Sequence, residues 1–443
     1  QKDGTKKYTE NISRQIVIFE NEITRRCDKR DDDLPLIKEM MIIRCKSDLM
    51  SGILRQIVEN GIVIDDTEYI FYTSSTGQMK ECEITIVSKK FWETNQESLM
   101  CGLSTNIINE SGGINTGKFL SALALNMSNS VEIACDVNID DVIIVPDFKT
   151  VICDEVNYLD VDKLTISQQK KNIEIEHMDG AGIFMPGTLP CSCQIRGGWL
   201  KGAVFPFDFN AFIKENKGNL SKKNMIDAWG NPLTEDEFLK AKVILTDSQL
   251  KMRKYYKSLK DYRKKFKQSS CKITINNVAH SIDIENITPE VRVAYQPLQT
   301  IPRLNIDDKA IKRLTEKTIS YINGAKTDTK MALKLMGIDE AFINKCNPLF
   351  KAISKYPQML NDIHVKKIMK NALKAERKKA MGGKIILNGI WSYVCPDLYA
   401  FCEWLFCGEE NPKGLVKKGY IYNQYFFNKD DIKEVCCIRY PHL

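Results

Sequence analysis

Long apolar runs are missing from this chain. No segment of its 443 residues approaches the roughly 18 consecutive apolar positions of a membrane-crossing helix. The first thirty residues also lack the apolar core of a secretory signal, so a cytosolic protein is expected. Histidine is scarce, at four, and Cys191-Ser-Cys193 has no second ligand pair nearby, so no zinc site is expected. The fifteen cysteines are an odd number without the rhythm of a small disulfide scaffold. Cys45, Cys135, Cys153 and Cys402 sit among apolar neighbours, where reduced, buried thiols are expected. The motifs G-x-x-x-x-G-K-[ST], G-x-G-x-x-G after a strand, H-E-x-x-H and G-x-S-x-G are all absent, which removes the common nucleotide folds and hydrolases. No repeat at solenoid or propeller period is visible.

What is present reads as globular: apolar residues make up 43%, too many for a disordered chain. Residues 1–60 read as mostly helical, from the periodic apolar positions in LIKEMMIIRC and SDLMSGILRQIVENG, the second closed by Gly61. From Ile62 the period changes to short strands (IVIDD, EYIFYTSS, ECEITIVSK), returns to helix over KFLSALALNMSNS, and goes back to strands in DVIIVPDF and TVICDEVNYLDV. Residues 172–212 alternate IEIEHM, CSCQIR and KGAVFPF with glycine and proline clusters, a pattern of short strands in a tight sandwich or barrel. VILTDSQLKM reads as a strand running into a basic helix. Helix dominates from 306 to about 380, and GYIYNQYF and EVCCIRYPHL read as late strand pieces.

The net charge of +7 is modest, so its distribution matters more. Residues 251–272 carry ten Lys or Arg against one Asp, with aromatics at helical spacing. A solvated face over a core stripe would explain that; so would a surface following a phosphate backbone, contacted by Arg253, Lys254, Lys257, Lys260, Arg263 and Lys264. A second run, His364 to Lys379, has the same two readings. Asp160-Val-Asp162 is the one tight carboxylate pair in a β-rich region, and without a neighbouring Gly or third acid a solvated turn or strand edge explains it better than a metal. Gln194 and Arg196 alternate on one strand face, and Lys201 stands beside Gly202 at a strand entrance, where an ammonium and nearby N–H groups suit a phosphate.

The order Asp179-Gly-Ala-Gly182, then Gln194-Ile-Arg196-Gly-Gly-Trp-Leu-Lys201-Gly202, then Thr246-Asp-Ser-Gln-Leu-Lys251 resembles the first double-psi β-barrel of single-chain cellular RNA polymerases. These are the RNA-dependent polymerases of eukaryotic RNA silencing and their bacterial and SPβ-type phage relatives. Tyr69 to Ser75, Tyr295 to Gln299, Asp397 in CPDLY and Val435 to His442 are similar to further landmarks, so the resemblance covers roughly residues 60 to 443.

The resemblance implies an α+β protein with a double-psi β-barrel core, a helical N-terminal region and a helical insertion. Its parts would be 1–60, helical; 61–171, mixed strand and helix leading to the barrel; 172–305, the first barrel with its basic helix; 306–382, the helical insertion; and 383–443, connector strands towards a second barrel. It implies template-directed RNA synthesis from nucleoside triphosphates with Mg²⁺, more in keeping with a DNA template, in a bacterial or phage-infected cytoplasm. Lys201 and Lys251 match the catalytic lysines that neutralise the triphosphate, and Arg196 and Gln194 would lie on the substrate. Asp179 is expected to shape the glycine-rich turn. No D-x-D-G-D metal loop occurs in the chain, so no metal ligand is assigned to it. The metal site is expected in a missing C-terminal portion or a second chain, an expectation favoured by the stop at Arg439-Tyr-Pro-His-Leu443 and the retained lysines. The alternatives are an inactive nucleic-acid-binding scaffold of the same fold and a basic protein-interaction module.

Overall fold

The computed structural model describes residues 16–19, 39–45, 51–127, 137–276, 290–299, 306–338, 348–427 and 434–439. The chain divides into two compact units, one formed by residues 1–281 with 395–421, the other by 282–394 with 422–443.

The first unit opens with an antiparallel sheet of β1 (Ile16–Phe19), β2 (Met40–Cys45), β3 (Ile62–Ile64), β4 (Thr67–Thr73) and β5 (Glu83–Ser88), in the order β1-β2-β5-β4-β3. The helical expectation for LIKEMMIIRC fails over β2. Met40 packs into one apolar core while Met41 and Ile43 pack into another, so both faces are covered and the apolar run has no helical stripe. The helix Ser51–Asn60 ends where expected, at Gly61 with φ +70°. Most of the expected N-terminal helix lies outside the described residues.

The second sheet of this unit holds the site. After β6 (Val142–Val145) the chain runs out along β7 (Lys149–Asp160) and back along β8 (Thr165–Glu176), a separate two-stranded hairpin. It then returns as β9 (Ala181–Phe184), β10 (Cys193–Gly197), β11 (Leu200–Pro206), β12 (Val243–Thr246) and β13 (Thr274–Asn276). The order is β13-β10-β11-β9-β12-β6, with β11/β9 and β12/β6 parallel and the other pairs antiparallel. Alternation decides the faces: Cys193, Ile195, Leu200 and Val204 enter the core, while Gln194, Arg196, Lys201 and Ala203 take the other side. Beyond β12 a bridge from Leu250 to Leu200 carries the chain across β9 and curls the sheet. The α+β class stands. Among the described residues no pairing joins the edge strands β13 and β6, so the structure has a mixed, partly curled sheet.

Three further expectations change. Residues 251–272 do not form one helix: a 3-10 turn at Arg253–Tyr255 precedes the helix Leu259–Gln268, which starts where the Ser258 hydroxyl accepts the Asp261 N–H at 3.1 Å. Neither GYIYNQYF nor Glu434–Arg439 forms a strand, and the helix Leu398–Cys407 buries Phe401, Leu405 and Phe406 instead. Cys402 is buried as expected, but Cys153 is exposed on the two-stranded hairpin of β7 and β8. The side chain of Cys45, and Cys135 altogether, lie outside the described residues.

The second unit pairs β14 (Glu290–Ala294) with β15 (Lys384–Asn388) and adds the helices Asp308–Gly324, Thr329–Leu335, Pro348–Lys355 and Ile363–Met381. Among the described residues no helix is long and apolar enough to cross a membrane.

Candidate functional site

The ends of β6 and β12 and the starts of β9 and β11 meet at one edge of the curled sheet. The β10–β11 hairpin sets the register there. Its two turn residues, Gly198 (φ +55°) and Trp199 (φ +71°), both take left-handed backbone, as a tight two-residue hairpin requires. A tryptophan tolerates this because it is buried, with its indole N–H donated to the Met100 carbonyl at 3.0 Å. From below, Tyr262 of the basic helix donates its hydroxyl to the Gly198 carbonyl at 2.8 Å.

With the turn so fixed, Arg196 stands directly opposite Lys201. Like charges facing across a strand pair are unfavourable by roughly 0.2–1 kcal/mol. Lys251 joins them: its backbone N–H donates to the Trp199 carbonyl at 3.1 Å, and its ammonium caps the Ser248 carbonyl. Burial presses the Lys201 pKa below the ordinary lysine value, and the charges of Arg196 and then Lys251 press it further. Neither lysine forms an ion pair with a carboxylate among the described residues. Arg196 is buried and oriented by the protein: it donates to the Ile195 carbonyl and to the Gln194 side-chain oxygen, each at 2.7 Å. Arg196, Lys201 and Lys251 thus converge, with Gln194 holding Arg196.

A residue the sequence reading did not single out holds this edge together. Gln249, fully buried, accepts the Thr246 N–H at 3.0 Å and donates to the Ala203 carbonyl at 3.1 Å, tying β12 to β11 across β9. A β-carbon at Gly182 would stand 2.6 Å from its oxygen, and one at Gly202 would stand 2.5 Å from the Gly180 carbonyl. These two glycines make room for an amide laid across the sheet. Thr246, also fully buried, donates to the Ala181 carbonyl at 2.9 Å. Paired glycines on neighbouring strands were the signal available. Gly180 has φ +67° and donates to the Ser248 hydroxyl at 2.7 Å, so Asp179 sits on a turn as expected.

Two carboxylates lie at the same edge and both are engaged. Asp147 accepts the Ser248 N–H at 2.9 Å. Asp247 pairs with Arg253, and burial nevertheless raises its pKa. Among the described residues no group of three or more His, Cys, Asp or Glu could hold a metal ion. The Asp160 carboxylate accepts the N–H groups of Asp162 and Lys163, a hairpin turn. Asp397 caps the helix Leu398–Cys407 and accepts from Leu415 and Val416.

The six cations expected to meet nucleic acid divide. Arg253 pairs with Asp247, Lys254 donates to the Gly113 carbonyl at 2.9 Å, and Arg263 donates to the Val142 carbonyl at 2.6 Å. Lys257, Lys260 and Lys264 are exposed.

The curled mixed sheet thus brings three cations to one edge. The family model described as RNA dependent RNA polymerase matches residues 6–440, and the chain belongs to that family. Among its relatives is the DNA-directed RNA polymerase YonO of Bacillus phage SPbeta, 34% identical over 429 residues, which is 97% of this chain and 48% of the relative. The chain thus spans about half the length of that polymerase.

Proposed function

We propose that this chain carries the nucleotide- and template-binding part of a template-directed RNA polymerase, and that the template is DNA. The observation that carries the reading is the convergence of Arg196, Lys201 and Lys251, whose mutual repulsion a triphosphate would relieve. In this reading Lys201 and Lys251 neutralise the charge that grows on the leaving pyrophosphate, and Arg196, oriented by Gln194, meets the same phosphates. The curled sheet is the first double-psi barrel; the crossing from β12 over β9 to the Leu200–Leu250 bridge supports that topology. Lys257, Lys260 and Lys264, with Arg253, Lys254 and Arg263 behind them, would follow the template or product backbone.

Nucleotidyl transfer in this class calls for Mg²⁺ on clustered carboxylates. The described residues do not cluster them, so we assign the ion and its ligands to the part of the relative's length that this chain does not span. The preference for DNA rests on the name of the phage relative. The test is a primer–template extension assay with Mg²⁺ on the complete gene product, run with DNA and RNA templates in parallel. Template-dependent RNA from DNA supports the proposal. RNA made on the RNA template alone overturns the template assignment, and no product on either overturns the polymerase reading.

A further inference from the structure

The second basic run behaves differently from the first. In the first, six cations are spent on the protein's own groups: Arg253 on Asp247, Lys251, Lys254 and Arg263 on carbonyls, Lys265 on Asp261 and Lys267 on Asp140. The second run forms the helix Ile363–Met381, with seven Lys or Arg and a single Glu. That glutamate, Glu376, is buried on the inner side, where it pairs with Arg292 at 2.7 Å and with Lys379 at 2.7 Å. Val365, Ile368 and Met369 pack inward with it. On the outer side Lys366, Lys370, Lys374 and Lys378 follow one another at four-residue steps, flanked by Lys367 and Arg377, and all six are exposed.

Residues four apart share one face of a helix, so the four lysines form a single row. Each step sets one ammonium beside the next, an unfavourable arrangement with no acid interleaved. None of the six forms an ion pair among the described residues. The surroundings do not compensate: residues 306–381 hold seventeen Lys or Arg against eight Asp or Glu, a net +9 in a chain whose total is +7. Hydration alone would be served as well by mixed charges; a row of one sign matches a ligand with regularly repeated negative charge. The row runs for about 18 Å at 1.5 Å per residue. A duplex presents a phosphate every ~1.7 Å of its axis, or about ten over that length.

We infer that the outer face of the helix Ile363–Met381 is a contact surface for the phosphate backbone of a nucleic-acid duplex. It reads charge and not base sequence, because its row is made of lysines, which meet phosphates as point charges. The surface shares no residue with the Lys201 edge, and its test needs no nucleotide, so its failure is separable from failure of the polymerase reading.

The test is fluorescence anisotropy of a labelled 30-base-pair mixed-sequence DNA duplex with the full chain, between 50 and 200 mM salt. The logarithm of the binding constant should fall linearly with the logarithm of salt, by about 0.9 per phosphate neutralised. The variant K366Q/K370Q/K374Q/K378Q should flatten that slope by about 3 and weaken low-salt binding by about ten- to a hundred-fold. Its helical circular dichroism should persist, since the change removes repulsion. The variant K309Q/K312Q/K351Q/K355Q, with equal charge loss on exposed lysines outside the row, should change the slope by less than about 1. An unchanged slope in the row variant overturns the inference, as do equal effects in both variants. Displacement of the duplex by polyglutamate at the same charge concentration would also overturn it, in favour of an acidic protein partner.

Discussion

Replacing Lys201 by Met should make the free protein more stable while removing a group proposed to be needed for activity. Methionine keeps most of the aliphatic stem and its packing and deletes only the charge. In the structure that charge faces Arg196 directly across the β10–β11 pair and feels Lys251 as well, and no carboxylate among the described residues offsets it. A like-charge pair directly opposite on a sheet is worth roughly 0.2–1 kcal/mol of destabilisation, and deleting one partner should return about that much. Urea unfolding at low ionic strength is the assay. The midpoint should rise with the slope unchanged, because no surface is newly exposed. At 1 M salt, where the screening length falls to about 3 Å, most of the gain should vanish. A loss of stability exceeding about 0.5 kcal/mol would refute the reasoning, since it would mean that the ammonium makes a favourable contact in the free protein.

The depressed pKa of Lys201, caused first by burial and then by Arg196 and Lys251, gives two pH trends of opposite sign. The folded protein sheds this proton more readily than the unfolded chain, so stability should rise with pH through a window lying below 10.5. The triphosphate binding proposed here would favour the protonated form, so affinity should fall as pH rises through the same window, and Lys201→Arg should remove most of that fall. Titrations of stability and of nucleotide affinity against pH check both signs. Gly202→Ala should cost about 1–3 kcal/mol by urea unfolding, because its new methyl meets the Gly180 carbonyl and the Gln249 side chain. Gly218→Ala, which meets nothing nearby, should be close to neutral.

Much of the site was legible because strand alternation is a strong signal. Gln194 and Arg196 on one face, with Lys201 at the head of the next strand, follow from the period of two and a turn at Gly198 and Trp199. The turn-forming role of Asp179 followed from local chemistry alone. Harder was anything set by a partner distant in sequence. The strand at Met40–Cys45 looks helical until two separate cores claim its two faces. Gln249 is an ordinary polar residue until Gly182 and Gly202 are seen making room for it. The two basic runs look alike in composition, and only the structure shows that Asp247, Asp261 and Asp140 engage cations of the first while the outer row of the second is left to solvent.

The central claim is that Lys201 and Lys251 together grip a triphosphate during bond formation. Its most direct test is single-nucleotide addition by the complete gene product, comparing wild type with Lys201→Ala and Lys251→Ala after each is shown to be folded. The account predicts that each substitution slows addition by about 10- to 1,000-fold, the loss of a charge contact made at the leaving pyrophosphate. Addition at the wild-type rate by either folded variant would contradict it.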